Sequence, residues 1–230
     1  MKTLGIVGGI GPESTIQYYR TIIALFRESV GDGSYPQLII DSIDLKKEIE
    51  MVERSELSDL TAFMVEEVSR LARAGADFAL IASNTPHLVF DEVAGKSPLP
   101  LLSIVETACA EAKRRGLKRI GLFGTRFTMT ASFYPAVFNR AGIELILPDA
   151  SEQDFIHDKY MNELVAGNFL PETKRGLLEI VERMGKENDL DAIMLAGTEL
   201  PLILREPAHG DIPFIDTMYV HARAAVAEML

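Results

Sequence analysis

The sequence predicts an α/β fold built from two similar parallel-sheet domains, and three observations predict it. Short apolar runs that stop at Gly, Pro, Asn, Ser or Thr alternate with longer segments of helical period. The pattern restarts near the middle of the chain: Gly5-Ile6-Val7-Gly8-Gly9 is answered by Gly121-Leu122-Phe123-Gly124-Thr125. Two run ends, Ile81-Ala82-Ser83-Asn84-Thr85-Pro86-His87 and Met194-Leu195-Ala196-Gly197-Thr198-Glu199-Leu200, have one form. Gly8 and Gly124, like Ser83 and Gly197, are separated by about half the chain, a spacing far above that of solenoid repeats. Strand-helix alternation implies parallel sheets with right-handed crossovers. The repeat implies two halves of about half the chain each, and the expected division is residues 1–98 plus 211–230 in a first domain and 99–210 in a second. Pseudo-two-fold packing of the halves would set equivalent strand ends face to face across a ligand cleft.

In order, Thr3 to Val7 reads as a buried strand, followed by the loop from Gly8 to Thr15 and a helix from Ser14 to about Val30. That helix places Ile16, Tyr19, Ile22, Ile23 and Phe26 on one face. A strand at Leu38–Ile40 ends at Asp41-Ser42-Ile43-Asp44, and a charged segment leads into a helix from about Leu57 to Ala74, closed by Gly75. Phe78 to Ile81 is the third strand. After Pro98 and Pro100, Leu101 to Ile104 is a short strand before a helix carrying Cys109. In the second half the strands are Arg119–Phe123, Glu144–Pro148, Ala192–Leu195 and Ile212–Thr217. Its helices are expected after the segment Gly124 to Thr130, over Phe155–Val165, over Leu178–Glu187, and from the last strand to Leu230.

The 230 residues are 47% hydrophobic and 25% charged, the mix of an ordinary globular protein. A net charge of −11 and a pI near 4.9 oppose nucleic-acid and anionic-membrane partners. A single cysteine permits no intrachain disulfide. With no secretory start and no apolar stretch long enough to span a bilayer, the expected setting is the cytoplasm.

Gly8-Gly9-Ile10-Gly11-Pro12-Glu13-Ser14-Thr15 lies between strand and helix, where backbone N–H groups can hold an anion. It lacks the GxGxxG spacing of a dinucleotide loop, and a tight turn with a capping hydroxyl also explains its glycines. The pairs Asn84-Thr85 and Thr198-Glu199 follow buried strands; each alone reads as a helix cap, and their recurrence at corresponding places reads as a shared ligand site. His87 is either a proton carrier or a cap partner. Cys109, among alanines in a helical pattern, reads as a small buried hydrophobe. The basic run Lys113 to Arg119 around Gly116 reads as a solvated helix end.

These stretches resemble the aspartate/glutamate racemase family: GIVGGIGPEST, DSID, IASNTPH, LFGTRFTMT, GTELPLIL and FIDT appear in the family's order over nearly the whole chain. The resemblance implies two α/β domains with a ligand cleft between them, a homodimer, no pyridoxal phosphate or metal, and a small acidic amino acid or dicarboxylate as ligand. It also implies a two-thiol mechanism, in which one cysteine removes the Cα proton and another returns a proton on the opposite face; cysteine suits this because its pKa of roughly 8.5 can be lowered by its surroundings. Those catalytic positions correspond here to Ser83 and Gly197. Serine is a far weaker acid and needs a base, for which His87 is the candidate, and glycine has no side chain to carry a proton. The matching substrate-binding positions are Gly8, Gly9, Asn84, Thr85, Thr125, Thr128, Thr198 and Glu199. Arg54 and Lys46 are candidate cations for a second acidic group. Phe155 stands where many relatives have a lysine, and Lys159, one turn on, is the candidate substitute.

Three functions follow. The first is racemisation of aspartate or glutamate without cofactor. The second is one-sided proton transfer, decarboxylation or isomerisation of a dicarboxylate. The third is an acidic-ligand binder without turnover; a cysteine-replaced variant of a racemase would carry the same residues.

Overall fold

The computed structural model describes residues 1–230, which divide into two compact units, 1–104 with 218–230 and 105–217. The chain passes between them later than the repeat suggests, because the short strand near Pro100 pairs in the first sheet and the strand ending at Asp216 pairs in the second.

The first unit contains β1 (Leu4–Gly8), α1 (Pro12–Val30), β2 (Leu38–Ser42), α2 (Leu45–Glu53), α3 (Leu57–Arg73) and β3 (Phe78–Ile81). A 3-10 turn over Thr85–Val89, α4 (Phe90–Lys96) and β4 (Leu101–Leu102) follow. The sheet is wholly parallel in the order β2-β1-β3-β4, with Gly8 opposite Ser42 and Val7 opposite Ile81. Because β1 and β3 are buried along their whole length, they read as continuous apolar runs. One core packs Leu4, Ile6, Phe78 and Leu80 against Tyr18, Ile22 and Phe26 of α1. On α3, Leu60, Met64, Val68 and Leu71 are buried, and a Cβ on Gly5 would press on Leu71, so the glycine lets strand and helix approach closely. The segment read only as charged forms α2, whose N-cap Asp44 accepts from the Lys46 backbone N–H at 3.0 Å.

The second unit holds most of α5 (Ile104–Arg114), then β5 (Arg119–Gly124), α6 (Arg126–Thr130), α7 (Phe133–Arg140), β6 (Glu144–Ile146) and α8 (Ala150–Lys159). A π-helical turn over Tyr160–Leu164 follows, then α9 (Pro171–Asn188), β7 (Ala192–Ala196), α10 (Leu200–Ile203), β8 (Ala208–His209) and β9 (Ile212–Asp216). The sheet order is β6-β5-β7-β9-β8, parallel except for the β8–β9 pair. Phe123, Ile193 and Leu195 pack with Ile156, Leu177, Val181 and Met184. The internal repeat is therefore topological: β5, β6, β7 and β9 stand in the order that β1, β2, β3 and β4 occupy in the first sheet. The last helix, α11 (Thr217–Met229), returns to the first unit, where Met218, Ala222, Ala225, Val226 and Met229 join its core.

Candidate functional site

In a parallel sheet of this order the crossover direction reverses between the first and third strands, and the crevice beyond their carboxyl ends is the favoured ligand position. In the first unit that point lies between the ends of β1 and β3, which carry Gly8-Gly9 and Ser83-Asn84-Thr85. In the second it lies between the ends of β5 and β7, which carry Gly124-Thr125 and Gly197-Thr198-Glu199.

The β1 loop is held by its own residues. Gly9 takes φ +84°, and a Cβ there would lie 2.5 Å from the Ile43 carbonyl oxygen, so close contact with the turn after β2 requires glycine. The Gly9 N–H donates to Thr15 Oγ1 at 2.9 Å, and the Ile43 N–H donates to the Gly8 carbonyl at 2.9 Å. The Gly9 N–H expected to hold a carboxylate is thus already engaged by Thr15, and loop closure is the reason for these glycines.

Ser83 and Asn84 are buried beyond β3, 8% and 3% exposed. The Asn84 carbonyl accepts from the His87 N–H at 3.0 Å, starting the 3-10 turn that begins at Thr85. His87 is buried and stacks on Phe90 at 4.7 Å. Its Nε2 accepts from the Ile104 backbone N–H at 3.2 Å, so the ring proton of the neutral tautomer sits on Nδ1, which lacks a partner of good geometry. Burial, and next the nearby His221, lower its pKa to about 3; the Ser83 and Asn84 backbone groups offset this only in part. A neutral imidazole whose acceptor nitrogen is occupied is not a base for Ser83. The pairing of Ser83 with His87 expected from the sequence is corrected accordingly: His87 ties the end of β3 to Ile104.

In the second unit Thr125 caps α6, its Oγ1 accepting from the Thr128 N–H at 3.2 Å and lying 3.1 Å from Thr128 Oγ1. Gly124 is required here, since a Cβ would come 2.8 Å from the Ala196 carbonyl oxygen. Beyond β7, Thr198 and Glu199 are each 1% exposed. Glu199 Oε2 accepts from Thr198 Oγ1 at 3.0 Å and also from the Tyr160 hydroxyl, while its Oε1 is buried with no hydrogen-bond partner. A Cβ on Gly197 would lie 2.5 Å from Tyr160 Cε2 and 3.1 Å from its Cζ. The phenol ring therefore fills the space into which any side chain at position 197 projects. Burial, followed by the Glu199 charge and hydrogen bond, raises the Tyr160 pKa well above that of an ordinary phenol, so the hydroxyl keeps its proton.

The candidate cations are each paired with a carboxylate on their own segment. Lys46 and Arg54 are exposed on and just after α2 and face Glu50 at 3.8 and 3.6 Å. Lys159 is bound to Glu163 at 2.6 Å. Phe155 packs on α9, where a Cβ on Gly176 would meet its ring at 2.5 Å. Cys109 is buried on α5, and burial raises its thiol pKa, next to the Glu106 charge. No group of three or more His, Cys, Asp and Glu residues is arranged to hold a metal ion.

Tyr160 was missed by sequence reasoning, which treats it as one more position in an amphipathic helix. The π-helical turn that begins at Tyr160 is a feature often associated with functional sites, and local sequence does not announce it.

A family model described as Asp/Glu/hydantoin racemase matches residues 7–225. The broad specificity amino-acid racemase RacX of Bacillus subtilis is 26% identical over 99% of this chain and 98% of its own length. An aspartate racemase homologue from Pyrococcus horikoshii superimposes with a TM-score of 0.83 at 33% identity, covering 100% of this chain and 99% of that one. A Yersinia pestis structure assigned by name to the Asp/Glu racemases gives a TM-score of 0.88 at 27% identity over the same shares. No helix is long and apolar enough to cross a membrane.

Proposed function

Because the chain belongs to the Asp/Glu/hydantoin racemase family, we propose that it binds an acidic amino acid or small dicarboxylate and acts on the substrate's Cα proton. The observation that carries this reading is the buried polar cluster at the switch point of each sheet. Ser83 and Asn84 in one unit, and Thr125, Thr128, Thr198 and Glu199 in the other, are 8% exposed or less. A fold with no ligand to meet gains little by burying so many polar side chains at strand ends, where each must be hydrogen-bonded to avoid a desolvation penalty of about 1–3 kcal/mol. The likeness to an aspartate racemase homologue supports an acidic substrate, and the likeness to a broad specificity amino-acid racemase supports action on an amino acid.

With serine at 83 and glycine at 197, the two-thiol route is closed to this chain. A second reading, a binder without turnover, is favoured by one observation: His87 is unavailable as a base for Ser83. Two measurements separate the readings. An acidic ligand at about a hundred times its Kd adds about 2.7 kcal/mol, which in a chain of this size raises Tm by roughly 5–10 °C. No shift with either enantiomer of aspartate or glutamate, or with small dicarboxylates, removes the binding reading. Deuterium incorporation at Cα of the bound ligand in heavy water supports an enzyme, and binding without incorporation supports the silent binder.

A further inference from the structure

We propose that Tyr160 and Glu199 form a proton relay at the end of β7, on the side of the substrate that the family resemblance assigns to the second thiol. This rests on the proposed function and names the group that does its chemistry. Three independent observations meet at one place. The Tyr160 ring occupies the volume of a side chain at position 197, within 2.5 Å of a Cβ built there. Its hydroxyl donates to Glu199 Oε2, which Thr198 Oγ1 also engages at 3.0 Å. Glu199 Oε1 is buried and without a hydrogen-bond partner, so the carboxylate retains capacity for one more proton or donor. The π-helical turn that starts at Tyr160 departs from α8 at the residue concerned.

The step balances without a cofactor. The Cα–H bond breaks, and its proton forms a new O–H bond on Tyr160. The original phenolic proton passes to Glu199, and the electron pair stays on Cα, delocalised into the substrate carboxylate. The reverse transfer returns a proton to the same face, and no free phenolate forms in either direction. Relays of this kind contribute about 10²–10⁴-fold. The relay gives and takes its proton at one face, and Ser83 lacks a base, so the Cα hydrogen is exchanged with retention of configuration.

The test uses the full chain with L- and D-aspartate and L- and D-glutamate in heavy water, with thermal shift as the measure of binding. The expected result is Cα deuterium incorporation into one enantiomer with retention. Tyr160→Phe should lower that rate at least 100-fold while the ligand-induced Tm shift persists. If Tyr160→Phe does not fold, Glu199→Gln, which keeps the side-chain volume, must show the same loss. Exchange at the wild-type rate in these variants overturns the relay and leaves the proposed function standing. Binding without exchange in the wild type also overturns it, as does racemisation at the exchange rate. Absence of binding by the wild type overturns the proposed function itself, and the relay with it.

Discussion

At position 197 two facts about one residue have to be kept apart. That a glycine stands where the family resemblance implies a thiol is legible in the sequence, because Thr198-Glu199 fixes the alignment of the motif. What fills the vacated volume is not legible, because Tyr160 belongs to a different helix and comes to β7 only through the tertiary fold. The consequence is steric. Gly197→Ala drives a methyl group against a buried ring anchored on Glu199, and overpacking of this kind destabilises by about 1–3 kcal/mol. Urea unfolding should record that loss, and an unchanged midpoint would show that the ring moves aside freely. For the same reason, Ser83→Cys with Gly197→Cys does not by itself rebuild a thiol pair, because the second thiol has no room until Tyr160 is shortened as well.

Among the elements, α2 shows where local pattern is a poor guide. Its sequence, Leu45-Lys46-Lys47-Glu48-Ile49-Glu50, reads only as a charged segment, yet the Asp44 cap and α3 make it a helix with Glu48 turned inward, 2% exposed. Burial raises the Glu48 pKa from 4.5 to about 7, and its Oε1 has no partner. A carboxyl raised in this way binds its proton more tightly folded than unfolded. Its contribution is present below pH 4.5 and is lost as pH rises to about 7. Glu48→Gln, which cannot ionise, should therefore be more stable than wild type at pH 8, by about 3 kcal/mol at most, with the advantage vanishing near pH 4.5. Equal effects at both pH values would show that Glu48 stays charged in the fold. The other elements were legible to the extent that they carry a clear period. β1, β3, β5 and β7 stand where their apolar runs predict, whereas the strand expected over Leu101–Ile104 shrinks to Leu101–Leu102, because Ile104 already starts α5.

For the whole molecule, the two histidines that burial keeps neutral fall in one unit. His87 and His221 lie in the first unit, both fully buried, with pKa values lowered to about 3 and about 4, burial being the larger cause for each. His221 is held between the Tyr18 hydroxyl at 2.9 Å and the Leu102 carbonyl at 3.0 Å. A histidine kept neutral in the fold contributes stability that is present above its unfolded pKa of about 6.5 and is lost as pH falls through the folded value. Set against Glu48, which acts in the opposite direction between pH 4.5 and 7, these groups place the first unit's best stability near pH 6.5. Hydrogen exchange followed by mass spectrometry at pH 4.5 and 6.5 should show β1 and β3 losing protection at the lower pH, corrected for intrinsic rate, before β5 and β7. Simultaneous loss in both sheets would show that the histidines do not govern acid unfolding. The two-unit plan itself was legible from the repeat, but the exact crossings at 104 and 217 were not, because strand pairing rather than composition decides them. Those crossings bear on how the polypeptide is made. Residues 105–217 emerge from the ribosome as one continuous stretch and can fold as soon as they are out, whereas the sheet of the first unit waits for α11, whose Met218, Val226 and Met229 cover Leu4, Phe78 and Leu80. Of the two units, the one whose synthesis begins first is thus the last to be completed, and its apolar face stays uncovered until residues 218–229 have been made.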